Sequence, residues 1–474
     1  MTALRGPAPT VHLLRPCLPG DGVLRLSPTA AAACAARFQT AAPQLRIVKF
    51  VAASGSATRM FEAFSQALAA GRPPGSLLET LPRWAFYDVL AEALAARGRN
   101  LSAALAAGDW QGPLEFLLSP AGLDYLHRPK ALIPYHRYPD GPRTALEEHL
   151  LEAQGYARGA GGFVRSHFTV RETHRAAFAQ GIRAARARFA PASGSWAVST
   201  SVQDESASAF LLDADGNPVR DAAGVLQFAS PGHGALLPNL NAIDADLIFI
   251  RTVDHVFPER LQPAFCHFKH VLGGLFLDLH ARVNAALHAL SANSAGAIAA
   301  ATALLQDELS VVLPARLREQ NETARRRELL ALLNRPLRVC GVVPNEGRPG
   351  GAPFWTSGPS GEPCLRIVEG CEVNTADPSQ QALWNTAAYF NPVDIACSVR
   401  DYLGRPFRLS DFADPGARLL IRRAHNGTPV TILEKPGLWN GGMAHWNTVF
   451  LELPASTIHP VKTVFDLLDP CHRS

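Results

Sequence analysis

A loop of small residues that ends at an arginine is the first part of the chain equipped to bind an anion. It follows an apolar run at residues 45–52 and continues into Arg59, a cationic donor. Small side chains let an anion approach the backbone, Gly55 can adopt a positive φ, and a helix starting near Thr58 would point its N–H groups at phosphate. An ordinary strand-to-helix turn fits the loop equally well, because neither G-x-G-x-x-G nor G-x-x-x-x-G-K-[ST] occurs there. The predicted phosphate-binding residues are Ala53, Ser54, Gly55, Ser56, Ala57 and Thr58.

The elements that must position this loop follow from the hydrophobic pattern. Residues 45–52 form a β-branched and aromatic run that predicts a buried strand leading into a tight turn. Strands and helices then alternate beyond residue 128, which favours right-handed βαβ units in an open sheet. The predicted strands are residues 45–52, 163–170, 196–202 and 246–253, and the predicted helices are residues 146–153 and 171–189.

Two further regions have patterns of their own. Residues 61–128 are rich in Ala and Leu at helical spacing and predict an all-helical insertion. After a long helical stretch at residues 265–333, short strands with Gly and Pro turns predict an antiparallel C-terminal part. The fold class is therefore α/β, with a Rossmann-like, mixed central sheet flanked by helices. We divide the chain into a partly helical N-terminal extension at residues 1–44 and a core at residues 45–474 that contains the insertion.

Composition and charge exclude several classes of protein. The chain has 474 residues, 47% of them apolar and 18% charged, which is enough to bury a large core. A net charge of +4 without a Lys/Arg block argues against nucleic acid, and no run approaches the roughly 18 apolar residues needed to cross a membrane. The eight cysteines form no C-x-x-C pair, and the first forty residues lack an uninterrupted apolar signal segment. We expect a cytoplasmic protein that binds a small anionic ligand.

A proline–lysine segment follows the helical insertion. Arg128-Pro-Lys130 resembles the Pro-Lys segment that follows the glycine loop of sugar-nucleotide pyrophosphorylases, although here the insertion separates the two. If the insertion folds outward, Lys130 can return to the loop and neutralise phosphate charge as a point cation. The alternative is an exposed surface lysine.

A Gly-His pair and a strand that ends near an aspartate extend the resemblance in the same order along the chain. Pro231-Gly-His-Gly, and then the apolar run before Asp254, resemble segments of UDP-glucose pyrophosphorylases. In that family the Gly-His pair lies beside the uracil and the aspartate holds Mg²⁺, which implies these roles for Gly232, His233 and Asp254. A carboxylate after a buried strand suits a hard, oxygen-preferring cation. Gln203 stands where the family has a glutamine that reads the base edge.

Three C-terminal features resemble segments that line the sugar in the same family. They are the Gly-Gly pair of a hairpin, the following Val-Glu strand, and a Phe-Asn turn. The resemblance implies sugar contacts for Gly351, Glu369 and Asn391. Asp394 is a candidate second carboxylate for Mg²⁺, with a purely structural role as its alternative.

The most specific local match lies near the end of the chain. Residues 460–468 closely resemble the family's Pro-Val-Lys-Thr-x-x-Asp-Leu-Leu segment. The family lysine in this segment contacts phosphate at the reacting centre. Lys462 is therefore a candidate for stabilising charge on the transferred phosphoryl group.

The chain also resembles the DUF4301 family, with which it shares a Lys-Phe-Val-x-Ala-Ser-Gly segment at residues 49–55 and a Leu-Trp-Asn-Gly segment at residues 438–441. The combined resemblance, to this family and to UDP-glucose and UDP-N-acetylhexosamine pyrophosphorylases, implies a GT-A-type nucleotidyltransferase fold. The sequence departs from the pyrophosphorylases in the loop, where Ser-Gly-Ser-Ala replaces a doubled glycine.

The resemblance implies that a sugar-1-phosphate attacks the α-phosphorus of a nucleoside triphosphate, in the first instance UTP, and that pyrophosphate leaves. In this scheme Asp254 holds Mg²⁺, Arg59 and Lys130 bind the leaving pyrophosphate, and Lys462 balances charge at the reacting phosphates. One alternative is a nucleotide-sugar sensor without catalysis. Another is a scaffold whose helical insertion binds a protein. The sequence does not predict the oligomeric state.

Overall fold

The structure is a computed structural model that describes residues 10–73, 77–189, 194–204, 209–221, 223–229, 231–347, 350–358, 361–425 and 428–473. The chain divides into two compact units, each assembled from three stretches of sequence. Unit 1 comprises Met1–Ile47, Gln203–Ile250 and Phe268–Ala455, and unit 2 comprises Val48–Val202, Arg251–His267 and Ser456–Ser474. Within the described residues, no helix combines the length and the apolar character that a membrane crossing requires.

Strands and helices both occur along most of the chain. The strands are β1 Leu13–Pro16, β2 Leu18–Pro19, β3 Gly22–Leu24, β4 Ile47–Ala52, β5 Pro134–Tyr138, β6 Gly141–Thr144, β7 Val164–Val170, β8 Trp196–Val202, β9 Ala209–Leu212, β10 Phe228–Ala229, β11 Leu247–Thr252, β12 Leu337–Pro344, β13 Ala352–Ser357, β14 Pro363–Val368, β15 Tyr389–Cys397, β16 Leu419–His425, β17 Thr428–Glu434 and β18 Asn447–Glu452. The helices are α1 Pro28–Ala41, α2 Glu62–Ala70, α3 Leu77–Thr80, α4 Tyr87–Ala95, α5 Leu101–Ala106, α6 Gln111–Leu118, α7 Ala145–Ala153, α8 Arg175–Arg188, α9 Leu237–Asn241, α10 Gln262–Ser291, α11 Ala297–Ala303, α12 Glu322–Leu333 and α13 Pro378–Asn385.

Unit 2 is built on a parallel sheet in the order β4-β7-β8. Five of the six residues of β4 are buried, as expected for a strand covered on both faces. Helices α7 and α8 follow β4 and β7 along the chain, so the predicted alternation of strand and helix is confirmed. The loop of small residues leaves the C-terminal end of β4, the edge where α/β proteins place ligand-binding groups.

The insertion consists of α2 to α6, and the described part of residues 61–128 contains no strand. Sequence signals set its helix ends: Asn100 caps α5 by accepting a hydrogen bond from the N–H of Ala103, and Gly71 ends α2 with a φ of 64°. Its apolar side chains form one cluster with three residues of the C-terminal segment, Val461, Val464 and Leu467. The insertion therefore packs on the segment that carries Lys462.

Unit 1 contains a mixed sheet in the order β2-β3-β18-β12-β15-β11. β15 is antiparallel to both β11 and β12, whereas β18 is parallel to both β12 and β3. Two smaller antiparallel sheets, β1-β13-β14 and β10-β9-β17-β16, complete the unit. The α/β class with a mixed sheet and antiparallel C-terminal strands is thus confirmed, except that β18 joins its neighbours in parallel.

The N-terminal segment is part of unit 1. It contains α1 and also β1 to β3. β1 pairs with β13 and β3 pairs with β18, so these residues add strands to two sheets of the unit. The first nine residues lie outside the described part.

Candidate functional site

The ends of the helical insertion meet at the loop of small residues. Ser56 forms an isolated β-bridge with Pro129, in which the N–H of Ala57 donates to Arg128 O at 3.0 Å and the N–H of Lys130 donates to Gly55 O at 3.1 Å. The backbone of Lys130 therefore lies beside the loop, on the far side of the insertion in sequence. The pairing is backbone to backbone, so it fixes the position of Lys130 independently of its side chain.

The loop differs from its predicted shape at two points. The helix expected near Thr58 begins at Glu62, because the N–H of Ala57 is already bonded to Arg128 and the chain first makes a turn. Gly55 does not use a positive φ. The N–H groups of Ser54 and Gly55 nevertheless donate to no acceptor among the described residues. These amides are available to an anion.

A carboxylate with two lysines is the centre of the site in unit 2. Asp254 lies two residues after the end of β11, and its Oδ2 is 2.8 Å from Lys462 Nζ and 3.6 Å from Lys130 Nζ. Two further bonds hold the group together: Val461 N–H donates to Asp254 O at 2.9 Å, and Lys130 Nζ donates to Val461 O at 2.6 Å. Three residues that are distant in sequence thus form one charged cluster.

The charges in this cluster depend on one another. Burial alone would raise the pKa of Asp254, but the ammonium groups of Lys462 and Lys130 lower this pKa far below its usual range. The pKa of Lys130 is lowered to about 8. Burial is the largest cause, repulsion by Lys462 and Arg59 acts in the same direction, and attraction by Asp254 opposes them. Arg59 is exposed and acts on Lys130 electrostatically, which places a third cation in this part of unit 2.

Asp254 also meets the requirement for a metal ligand. Its second oxygen, Oδ1, is buried and forms no hydrogen bond of ordinary geometry with a described residue, although the side chain of Thr252 also lowers the pKa of this carboxyl. A buried anionic oxygen without a donor is well suited to a hard cation such as Mg²⁺. The residues of the cluster therefore fit the predicted cofactor.

The segment that carries Lys462 is fixed by polar contacts as well as by the apolar cluster. The carboxylate of Asp466 accepts the N–H groups of Lys462 and Thr463 at 2.7 and 2.6 Å, and Thr463 and Asp466 together form a capping box. Val464 N–H donates to Met60 O, and Trp84 Nε1 donates to Val464 O, each at 2.9 Å. Half of the Lys462 side chain remains exposed, so its head group can change partner while its backbone stays in place.

In unit 1, the residues assigned to the base lie around a stacked ring pair. Gln203 Nε2 donates to the carbonyls of Pro231 and Gly232, so this buried side chain shapes the loop before His233. The ring of His233 stacks on Trp439 with centroids 3.9 Å apart, and its Nδ1 accepts the N–H of Leu438 at 2.9 Å. His233 Nε2 therefore carries the proton.

The residues assigned to the sugar continue from this ring pair. Glu369 Oε1 accepts from Trp439 Nε1 at 3.3 Å and lies 3.6 Å from His233 Nε2. A Cβ added to Gly351 would lie 3.7 Å from the side chain of Glu369, and Asn391 N–H donates to Gly351 O at 2.8 Å. The structure thus places Glu369 beside the His233–Trp439 ring pair and Asn391 beside Gly351.

Asp394, the other carboxylate predicted to bind metal, has a different environment. It is buried in unit 1 and forms an ion pair with Lys269, which is also buried. Both carboxylates are paired with lysine, but of the two only Asp254 has a buried oxygen that lacks a hydrogen bond of ordinary geometry among the described residues. The case for a metal therefore rests on Asp254.

Two residues of unit 1 were missed by the sequence reasoning. Trp439 belongs to the Leu-Trp-Asn-Gly segment, whose aromatic residue beside glycines was the available signal. Glu372 had no such signal, because its role depends on burial: its Oε2 accepts from Glu369 N–H and Asn440 Nδ2, both at 2.8 Å. Burial raises the pKa of Glu372 to about 8.

The raised pKa of Glu372 predicts a pH-dependent stability. In the folded state the Glu372 carboxyl keeps its proton up to about pH 8, whereas in the unfolded state it loses the proton near its ordinary pKa of 4.5. The free energy of unfolding therefore falls as the pH rises from 4.5 to about 8. For this group the free energy of unfolding should fall by at most about 1.4 kcal/mol per pH unit. Glu372→Gln should remove that slope, measured by urea unfolding across this pH range. Glu328→Gln, at a surface pair with Arg316, should keep the wild-type slope; a Glu372→Gln slope equal to wild type would contradict the prediction.

Comparisons with known proteins give the following similarities. The family model for the domain of unknown function DUF4301 matches residues 1–473. No curated protein matches the sequence. Among solved structures, the uridine diphosphate N-acetylglucosamine pyrophosphorylase of Trypanosoma brucei is 12% identical, with a TM-score of 0.48 over 96% of this chain and 72% of the other. A UDP-glucose pyrophosphorylase of Leishmania major is 13% identical, with a TM-score of 0.45 over 100% and 73%. A UDP-glucose phosphorylase of Trypanosoma brucei is 12% identical, with a TM-score of 0.43 over 98% and 72%.

Proposed function

We propose that this chain, which belongs to the DUF4301 family, is a nucleotidyltransferase that joins a nucleoside triphosphate to a sugar-1-phosphate and releases pyrophosphate. UTP is the triphosphate that we propose. The observation that carries the proposal is the cluster of Asp254, Lys130 and Lys462 beside a loop with available amides, all within unit 2. Catalysis of phosphoryl and nucleotidyl transfer is largely a matter of positioning and charge neutralisation, which is what such a cluster provides.

The reaction requires one bond to form and one to break at the α-phosphorus. An oxygen of the sugar phosphate attacks in line, the bond to the β-phosphate oxygen breaks, and pyrophosphate carries away the bonding electron pair. In our scheme the amides of the loop, Lys130 and Arg59 bind the departing pyrophosphate. Lys462 stabilises the charge at the α-phosphate, because its half-exposed head group can leave Asp254 for a phosphate oxygen.

Asp254 is the residue that would hold Mg²⁺. When bound, the ion would neutralise negative charge on the phosphate oxygens. Asp254 itself stays ionised at neutral pH because the two lysines lower its pKa, so it is ready to bind a cation. The predicted roles of the unit 1 residues toward base and sugar stay predictions, and the proposal rests on unit 2.

We assign the helical insertion to the support of this cluster. Its apolar core includes Val461 and Val464, on either side of Lys462, and its Trp84 bonds to the backbone of that segment. Removal of the helices would expose these residues to water. Loss of turnover on deletion of the insertion is therefore expected, whereas a platform for a protein partner predicts loss of partner capture with ligand binding unaffected.

A substrate panel tests the proposal. The purified chain is supplied with Mg²⁺, one of UTP, ATP, GTP or CTP, and the 1-phosphate of glucose, galactose or N-acetylglucosamine, and pyrophosphate release is measured. We expect release with at least one pair, requiring both substrates and the metal. Silence across the panel would contradict a nucleotidyltransferase, and tight binding of a UDP-sugar by calorimetry in that case would favour the sensor.

Gly55→Ala should separate ligand binding from folding. A Cβ at Gly55 would meet no atom within 4 Å, and its φ does not require glycine, so the free energy of unfolding should change by less than about 0.5 kcal/mol. A phosphate seated on the loop would meet that methyl group, so we expect UTP to bind at least about tenfold more weakly, which is roughly 1.4 kcal/mol. Calorimetry measures the affinity. Gly194→Ala, also in open space, is the matched control, and equal affinities for both variants would refute the assignment of the loop.

A further inference from the structure

We propose a second metal site, of the zinc type, formed by His459, Asp469 and Cys471 in unit 2. One potential ligand atom from each residue lies within 4.8 Å of the other two. The three residues belong to one short stretch of chain that folds back on itself. The proposed site takes a transition metal and is independent of the proposed function.

The ligand set determines the kind of metal. A cysteine sulfur, an imidazole nitrogen and a carboxylate oxygen are the three ligand types that Zn²⁺ uses, whereas Mg²⁺ takes oxygen ligands only. Bond lengths of about 2.0–2.3 Å place the ligand atoms of a tetrahedral zinc roughly 3.3–3.8 Å apart. The present ligand atoms, within 4.8 Å of one another, lie near that spacing. Three protein ligands leave a fourth position for water or a further ligand.

Hydrogen bonds of the C-terminal turn bring the ligands together. Asp469 caps the turn Pro470–His472 and accepts the N–H of Cys471 at 3.0 Å, so these two side chains share one end of the turn. His472 Nε2 is 2.9 Å from the carbonyl oxygen of His459 and ties the first ligand's backbone to the same turn. Arg260 stabilises the turn by donating hydrogen bonds to the carbonyl oxygens of Pro470 and Cys471.

Access from solvent allows a cation to reach this place. Asp469 is exposed, and His459 and Cys471 are half-buried, so an ion can enter from solvent while two of its ligands are shielded.

The position of the site suggests what it does. His459 precedes Lys462, and Asp469 and Cys471 follow it, so a bound metal closes a loop that contains this lysine. Cross-linking a chain at two points removes conformations from its less ordered states. The metal therefore stabilises the segment that presents Lys462 to Asp254.

Cobalt is the probe for the test because it takes the place of zinc and reports its ligands by colour. The full chain is stripped with a chelator and titrated with Co²⁺ and then with Zn²⁺. We expect one equivalent of Co²⁺ to give a thiolate-to-cobalt charge-transfer band, and Zn²⁺ to remove the band and raise the unfolding temperature. Since loss of an outer-shell partner costs 10–100-fold in affinity, loss of a ligand in Cys471→Ser should weaken Zn²⁺ at least about a hundredfold.

Control variants distinguish metal binding by the three proposed ligands from metal binding by another cysteine. Cys34→Ser, at another partly buried cysteine that forms no disulfide, should keep the band and the zinc affinity. Asp469→Asn retains an oxygen that can cap the turn, so it tests the ligand without removing the cap; it should also weaken zinc. Absence of a stoichiometric band in the wild type, or wild-type zinc affinity in Cys471→Ser, overturns the proposal. Both readouts are metal binding and stand whether or not the chain transfers nucleotides.

Discussion

Replacing Asp254 by asparagine is expected to lower turnover by about a thousandfold or more while the fold persists. The substitution keeps the size of the side chain but removes the negative charge that both lysines contact and that the proposed metal requires. Pyrophosphate release at saturating substrate measures the loss, and circular dichroism reports the fold. Asp88→Asn, at an exposed pair with Arg137, should keep wild-type turnover. Comparable turnover in the two variants would remove Asp254 from the mechanism.

The pH dependence of the residual activity provides a second readout for Asp254. Lys130 has a pKa of about 8, and Asp254 raises this pKa against the effect of burial. In the wild type, the charge on Lys130 is present below about pH 8 and is lost above it. Asp254→Asn should move that loss to lower pH, because the neighbouring negative charge is gone. A variant that loses activity without this shift would indicate that Asp254 and Lys130 act independently.

Replacing Glu152 by glutamine is expected to cost about 3–5 kcal/mol of the free energy of unfolding. Lys49, on β4, donates from Nζ to Glu152 Oε1 at 2.9 Å and to His149 O at 2.8 Å, and both charged side chains are fully buried. Burial alone would raise the pKa of Glu152, but Lys49 and Arg251 lower it to about 2. Glutamine leaves the ammonium group buried without its counter-charge. Urea unfolding at neutral pH measures the loss.

Two further measurements test whether charge pairing is the cause. The double variant Lys49→Met/Glu152→Leu should recover part of the stability lost in Glu152→Gln, because it removes the buried ammonium group, while Arg251 still lacks the carboxylate. The wild type should also lose stability as pH falls from 4.5 towards 2, where Glu152 takes up a proton, and Glu152→Gln should lack this acid sensitivity. Asp88→Asn, at the surface, should cost no more than about 1 kcal/mol. If Asp88→Asn and Glu152→Gln lower the free energy of unfolding equally, burial of the ion pair is not the cause of the loss.

The strands of the α/β core could be predicted because their signal is local. The run at Trp196–Val202 contains four β-branched or aromatic residues, and Leu247–Thr252 begins with four apolar residues. Such residues favour strands. The parallel pairing of β18 could not be predicted, because the choice of partner depends on where distant strands lie. The same limit applies to Glu372, whose unusual pKa comes from burial by residues far along the chain.

The cluster in unit 2 shows both the strength and the limit of sequence reasoning. Lys130, Asp254 and Lys462 could be proposed from three short motifs, but their mutual contacts depend on a backbone bridge across the insertion. The helix expected at Thr58 was wrong for the same reason. The N–H of Ala57 that should have opened the helix pairs instead with Arg128, seventy-one residues away.

The hydrogen bond between Trp84 and the backbone of Val464 makes the intrinsic fluorescence of Trp84 sensitive to the segment that carries Lys462. The indole is fully buried, lies flat against the ring of Phe86 and bonds to the residue two positions after Lys462. The emission of an indole depends on its hydrogen bond and on the polarity around it. Movement of the lysine segment on binding a substrate should therefore change the fluorescence of Trp84 without any attached dye, and would allow the rate of that movement to be followed by rapid mixing.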